Sequence, residues 1–265
     1  MRPMAEVGSR SERQRLILDH VMEKGQASAP ELIALTGRSL TTVHRDLDDL
    51  ARRRLVRRFH GGVSALPTSA FESSSEFRLQ HREAEKDALA VAALAFIEPG
   101  MSIVLDDSTT VLALAALLPL RAPLNVASNY RQVLKVLRDS VGIRLRVIGG
   151  LYSRTRDSFG GLPDDTRYMS HMADIVFQSA SAMDARMTYY HEQDVVSMNR
   201  KMVRGGRRRV LMMDGSKVGR TSLHRFLPVD AFTDVLLTAD VHPVLAAQIG
   251  ERTKVEVVRA GDARS

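Results

Sequence analysis

The segment from 28 to 62 constrains this chain more than any other. It contains Ser28-Ala29-Pro30-Glu31, then Ser39-Leu40-Thr41-Thr42-Val43-His44-Arg45-Asp46-Leu47, then Arg58-Phe59-His60-Gly61-Gly62. Ser28 stands as a helix N-cap with Glu31 at capping-box spacing, and Pro30 sits in the first turn, where a missing N–H costs little. Gly37 stops that helix and Ser39 caps the next, leaving a turn of about three residues between them. In the later helix Val43, Leu47 and Leu50 recur at i, i+4, i+7 as one apolar stripe, while Thr41, Thr42, His44, Arg45 and Asp48 occupy the opposite face. Upstream, 11–24 reads as a helix with Leu16, Ile17, His20 and Val21 on one side and Gly25 as its stop. Downstream, 55–63 reads as two short strands around a turn, where the diglycine permits positive φ and close approach to a phosphate. Three helices and a hairpin in this order form a winged helix-turn-helix, which lays its last helix in a DNA groove with the wing beside it.

The placement of charge agrees with that reading. The formal charge is +7, and residues 1–66 hold 12 Lys/Arg against 8 Asp/Glu, a surplus of 4 on a quarter of the chain. From Ala51 to His60 there are five arginines and no acid, which favours a polyanionic partner such as double-stranded DNA. The absence of cysteine excludes disulfides, thiolate metal sites and a cysteine nucleophile. No apolar signal core opens the chain, and the longest apolar stretch, 111–120, is about half a membrane span, so a cytoplasmic location is expected.

Beyond residue 78 the pattern changes. Helical stretches over 85–97, 109–118 and 130–137 alternate with strand-like runs over 102–105, 125–127 and 143–148. Further strands are expected over 174–177, 210–213, 235–237 and 255–258. Such alternation implies an α/β fold with a mainly parallel sheet, in which ligands sit beyond the carboxyl ends of the strands. The loops expected there are Asp106-Asp107-Ser108-Thr109-Thr110, Ser128-Asn129, Gly149-Gly150 with Ser158-Phe159-Gly160-Gly161 a little further on, and Asp214-Gly215-Ser216-Lys217. Hydroxyls and backbone N–H groups at helix starts suit a phosphate.

The run from Ser39 to Leu47 resembles the recognition-helix signature of DeoR-type bacterial transcriptional regulators, Ser-x-x-Thr-Ile-Arg-Arg-Asp-Leu, and Arg58-Phe59-His60-Gly61-Gly62-Val63 resembles their wing. His44 stands where the family has the first arginine of its pair, and Arg38 replaces a small apolar residue before the cap. Asp106-Asp107-Ser108-Thr109-Thr110 is similar to the family's Asp-Ser-Gly-Thr-Thr, with Ser108 in the glycine's place. Ser128-Asn129, Gly149-Gly150 and Asp214-Gly215-Ser216-Lys217 match its Thr-Asn, Gly-Gly and Asp-x-Ser-Lys patterns. The stretch from Asp184 to Asp194 departs from it and is expected to alter the pocket. The resemblance spans 11–258 and implies a sensor domain of ribose-phosphate isomerase-like fold that binds a phosphorylated sugar or similar metabolite.

The expected organisation is a disordered tail over 1–10, a DNA-binding domain over 11–66, a linker over 67–78, and a sensing and oligomerisation domain over 79–260. A dimer or tetramer is expected because one small head buries too little DNA surface for high specificity. The implied function is a sequence-specific repressor of a carbohydrate operon, relieved by its effector. Ser39, Thr41, Thr42, His44, Arg45, Arg57, Arg58, His60 and Gly61 are the expected DNA contacts. Asp107, Ser108, Thr109, Thr110, Asn129, Gly150 and Lys217 are the expected effector contacts. No cofactor or metal is expected, since His171, His191 and His224 lack ligand spacing. A competing reading makes the large domain a sugar-phosphate isomerase or deaminase drawing an acid–base pair from Asp106, Asp107, Asp184, His191, Glu192 and Lys217.

Overall fold

A computed structural model describes residues 9–53, 55–64, 75–160 and 172–259. The chain divides between His81 and Arg82 into two compact units.

In the first unit, helix α1 (Arg10–Lys24) begins at a capping box: Glu12 N–H donates to Ser9 Oγ and Ser9 N–H to the Glu12 carboxylate. The chain turns at Gly25, whose φ is +79°, into strand β1 (Gln26–Ser28) and then helix α2 (Ala29–Thr36). Ser28 Oγ accepts from Glu31 N–H, as its spacing predicts, and the Glu31 carboxylate also takes His20 and Lys24 of α1 at 3.0 Å each. Helix α3 (Leu40–Arg52) is capped by Ser39, and strands β2 (Arg57–Phe59) and β3 (Gly62–Ser64) follow. Ile17, Leu18, Val21, Leu32, Val43, Leu47, Leu50 and Leu55 close one small core.

Two features depart from the sequence reading. The wing has three strands in the order β1-β3-β2, because 26–28 pairs antiparallel with β3. A Cβ on Gly62 would stand 2.4 Å from the Ala27 carbonyl oxygen, so Gly62 is needed for strand packing, whereas Gly61 takes the positive φ of +87°. The other departure concerns α1, whose contact with α3 is polar at its start. Asp46 is buried and accepts from Arg13 Nε, from Arg13 Nη2 at 3.1 Å and from Gln14 Nε2 at 3.4 Å. Most of the expected linker, 67–74, lies outside the described residues, but its final part belongs to helix α4 (Ser75–Gln80).

The second unit opens with helix α5 (Glu83–Leu94), followed by strand β4 (Ser102–Leu105), helix α6 (Thr109–Leu117), strand β5 (Leu124–Ser128), helix α7 (Arg131–Leu137) and strand β6 (Ile143–Val147). A hairpin of β7 (Leu151–Ser153) and β8 (Ser158–Gly160) comes next, then strand β9 (Ala173–Gln178). Short strands β10 (Ala182–Met183) and β11 (Met187–Tyr190) lead into helix α8 (Gln193–Arg204). Strands β12 (Gly206–Met213), β13 (His224–Pro228) and β14 (Asp234–Thr238), helix α9 (Pro243–Gly250) and strand β15 (Lys254–Val258) complete it.

A seven-stranded sheet in the order β15-β14-β12-β9-β4-β5-β6 runs parallel throughout. Its inner strands, such as β12 and β14, carry apolar residues on both faces because both are covered. Val210, Met212 and Leu236 point toward α5, α6 and α7, whereas Leu211, Met213, Val235 and Leu237 point toward α8 and α9. The hairpin β7–β8 and the antiparallel sheet β10-β11-β13 were not anticipated. Their strands are two to five residues long and carry too few alternations to be told from loops.

Candidate functional site

Two surfaces carry chemistry. On the head, Leu40, Thr41, His44, Arg45, Asp48 and Arg52 line an open concavity of about 490 Å³ along α3. Leu40 is 53% exposed, which suits a groove-facing contact better than a free surface. Among the described residues the Arg45, Arg57 and His60 side chains are exposed and have no hydrogen-bond partner. Ser39 and Thr42 are occupied with each other at the helix start, Oγ to Oγ1 at 3.0 Å, and Gly61 lies exposed at the wing turn. Arg58 turns back from the wing onto α3: one guanidinium nitrogen meets Asp48 at 3.0 Å and another meets His44 Nδ1 at 3.0 Å. A guanidinium can only donate, so Nδ1 accepts and the outward Nε2 carries the proton. His44 therefore presents a donor, suited to guanine O6 or N7 or to a phosphate oxygen.

The second surface lies beyond the carboxyl ends of β4, β5 and β9. Asp106 and Asp107 follow β4 side by side, buried. Asp106 accepts from Ser108 N–H at 3.0 Å, Gln178 Nε2 at 2.7 Å and Ser179 N–H at 2.9 Å. Burial and then the neighbouring Asp107 charge push its carboxyl up to about 7 against the pull of those N–H groups. Asp107 accepts three bonds on one oxygen: Arg156 Nε at 3.0 Å, Arg156 Nη2 at 2.8 Å and Ser158 Oγ at 2.6 Å. Ser108 caps α6 by accepting from Val111 N–H at 3.1 Å, and Thr109 and Thr110 are buried in its first turn. Asn129 Nδ2 donates to the Phe159 carbonyl at 2.8 Å. Among the described residues, Asn129 Oδ1 and Thr110 Oγ1 are buried without a hydrogen-bond partner. Gly150 has φ +147° and lets the Gly160 carbonyl come within 2.3 Å of where a Cβ would stand.

The structure thus gathers Asp107, Ser108, Thr109, Thr110 and Asn129 at adjacent strand ends, with Gly150 shaping the hairpin that delivers Arg156 and Ser158. Lys217 follows β12, the strand next to β9 in the sheet, with its Nζ 3.1 Å from Asp214. Burial opposes ionisation of Asp214, but Lys217 and Ser216 hold it well below the usual carboxylate range. Four buried polar residues at this end carry no local signal in the sequence. Arg156 meets a partner 49 residues away, and Tyr190 Oη takes Gln178 at 2.7 Å and Asn199 at 2.9 Å from separate elements. Among the acid–base candidates, Asp184 accepts from two backbone N–H groups and from Tyr189 Oη, and His191 contacts Ser222 at 2.6 Å. Among the described residues no His, Asp or Glu cluster could hold a metal, and no helix is long and apolar enough to cross a membrane.

Residues 13–68 match the DeoR-like helix-turn-helix domain and residues 81–238 match the DeoR C terminal sensor domain. The chain belongs to the DeoR family of transcriptional regulators. It is 32% identical over 213 residues to the L-fucose operon activator of Haemophilus influenzae, covering 80% of this chain and 85% of that protein. It is 28% identical over 246 residues to the glycerol-3-phosphate regulon repressor of Escherichia coli K12, covering 90% and 94%. The ribose 5-phosphate isomerase A of Methanocaldococcus jannaschii covers 51% of this chain and 54% of its own at a TM-score of 0.39 and 15% identity, a likeness that identifies no activity. Against the DeoR pattern, Ser108 in the glycine's place serves as the cap of α6, and the divergent stretch from Asp184 supplies β11 with its buried Tyr190.

Proposed function

We propose that this DeoR-family regulator is a cytoplasmic repressor of a carbohydrate operon, released from its operator when a phosphorylated sugar or similar metabolite binds at the strand ends of β4, β5 and β9. In this reading residues 11–66 read DNA and 79–260 sense the effector and oligomerise, with 1–10 as tail and 67–78 as linker. The observation that supports DNA reading is the exposed α3 face, where Thr41, His44 and Arg45 stand free of the core beside a wing carrying Arg57 and His60. An effector site is supported by the unpartnered Asn129 and Thr110 oxygens at a capped helix start, since buried polar atoms without partners are uncommon in the interior of a protein. Asp107, Ser108, Thr109, Gly150 and Lys217 frame or flank that opening. The chain acts as a binder and not an enzyme: the two groups that could form an acid–base pair are each engaged elsewhere, Asp107 with Arg156 and Lys217 with Asp214. Two heads on a dimer or tetramer match two half-sites, and the effector shifts the oligomer away from that spacing.

Gel-shift titration on DNA upstream of the protein's own gene tests this. Arg45→Ala is expected to relax discrimination by about 1–3 kcal/mol at one base pair, whereas Arg57→Ala weakens specific and random DNA alike and flattens the salt dependence. Equal losses for both variants on both DNAs would contradict the assignment. Release of the operator by phosphorylated sugars, and not by their unphosphorylated forms, tests the effector class.

A further inference from the structure

The opposite end of the large sheet bears a second concavity of about 750 Å³, between the starting residues of β9, β12, β14 and β15. Five cations line it, Arg207, Arg208, Arg209, Arg252 and Lys254, against three carboxylates, Asp174, Asp230 and Asp234, an excess of two positive charges. Two of the five are committed to the fold. Arg208 makes a two-pronged pair with Asp234 at 2.8 and 2.7 Å, and its guanidinium lies 3.8 Å over the Phe96 ring. Arg209 donates to the Ala231 and Gly206 carbonyls at 2.6 and 3.3 Å. Asp174 in turn accepts from Ser102 N–H at 2.8 Å. Arg207, Arg252 and Lys254 are exposed, and among the described residues their side chains form no hydrogen bond or ion pair. Phe232 and Thr233 also line this opening, and Thr233 is itself bonded to Asp234 at 2.7 Å.

The volume falls within the range of about 300–1,000 Å³ typical of small-molecule sites. Like charges are brought together here around a scaffold made rigid by the Arg208–Asp234 pair, and such an arrangement is stabilised by an anion that reaches several of them at once. We propose that this concavity binds a compact polyanion carrying two or more phosphate groups, as a site separate from the one beyond the carboxyl ends of the strands. The ligand would engage Arg207, Arg252 and Lys254 together, and a single phosphate would reach fewer of them. A nucleoside polyphosphate and an inorganic polyphosphate share this chemistry, and both serve as probes.

The test is isothermal titration of the full-length protein with tripolyphosphate, ATP and orthophosphate. Tripolyphosphate is expected to bind about tenfold or more tightly than orthophosphate, and the Arg207→Gln/Arg252→Gln double variant to lose about tenfold or more in tripolyphosphate affinity. A control double variant, Arg121→Gln/Arg144→Gln, removes the same charge from exposed positions elsewhere and is expected to change affinity less than about twofold. ATP binding that is lost in the first variant and kept in the second assigns the natural ligand to nucleotides, whereas tripolyphosphate binding without ATP binding assigns it to inorganic polyphosphate. Equal losses in both double variants would show diffuse attraction and overturn the proposal. So would absence of heat with tripolyphosphate, or a change of oligomeric mass in the first variant. Circular dichroism and unchanged operator binding confirm that both variants are folded.

Discussion

Replacing Arg156 by Met isolates the strongest electrostatic commitment of the large unit. Arg156 and Asp107 are 8% and 3% exposed, and two of the three bonds to the Asp107 oxygen come from the guanidinium. Met fills comparable length without charge, so the variant tests the ion pair more than the packing. Removing one partner of a buried pair costs about 3–5 kcal/mol, because the remaining charge stays desolvated. Asp106 stands next to it, already pushed up to about 7 by burial and then by Asp107, so the variant takes the Arg156 guanidinium from two adjacent buried carboxyls. Against a typical domain stability of about 5–15 kcal/mol, a loss of this size is about a fifth or more. The deficit also has a predicted pH dependence. A carboxyl whose folded pKa is raised binds more protons folded than unfolded, so its stabilising influence is present at low pH and lost as pH rises. The gap between variant and parent therefore widens as pH rises from the ordinary carboxylate range through the Asp106 value of about 7, because loss of the Arg156 charge makes the folded state resist ionisation further. Urea unfolding followed by tyrosine emission reads this directly, since all five tyrosines lie beyond residue 81 and report on the large unit alone. A deficit below about 1 kcal/mol, or one independent of pH, would refute the reasoning, because it would mean that water reaches the pair.

In the parent protein the same linkage predicts that stability of the large unit falls by up to about 1.4 kcal/mol per pH unit as pH rises from the ordinary carboxylate range toward the Asp106 value of about 7; a stability flat between those limits would show Asp106 ionised throughout. On the head, Arg58→Ala and His44→Ala are expected to be coupled by about 0.5–3 kcal/mol in operator binding, since Arg58 sets which ring nitrogen His44 presents; strictly additive losses in a double-mutant cycle would count against that arrangement. Gly62→Ala places a Cβ 2.4 Å from the Ala27 carbonyl oxygen, so it should open the β1–β3 pairing and lower the melting temperature of the head, while a variant with unchanged melting and operator affinity would show that the wing yields without loss.

Local periodicity determined the elements of the head and the alternation of the large unit. Serines 28, 39 and 108 cap helices because a short hydroxyl before an apolar repeat has few better uses, and buried parallel strands such as 210–213 advertise themselves as continuous apolar runs. The strand-end loops after β4 and β5 were legible for the same reason, since a strand followed at once by a capped helix marks the end of the sheet that gathers them. Pairing across the fold was decided only in three dimensions. Strand β1 is three residues long and becomes a strand solely because β3 lies beside it, and Arg58 points to His44 and Asp48 because the wing folds back onto α3. Arg156 reaches Asp107 across 49 residues, and Tyr190 collects Gln178 and Asn199 from separate elements. Backbone hydrogen bonding and apolar period act over a few residues and so leave a trace in sequence, whereas a buried charge takes its partner from whatever the packing brings within about 3 Å.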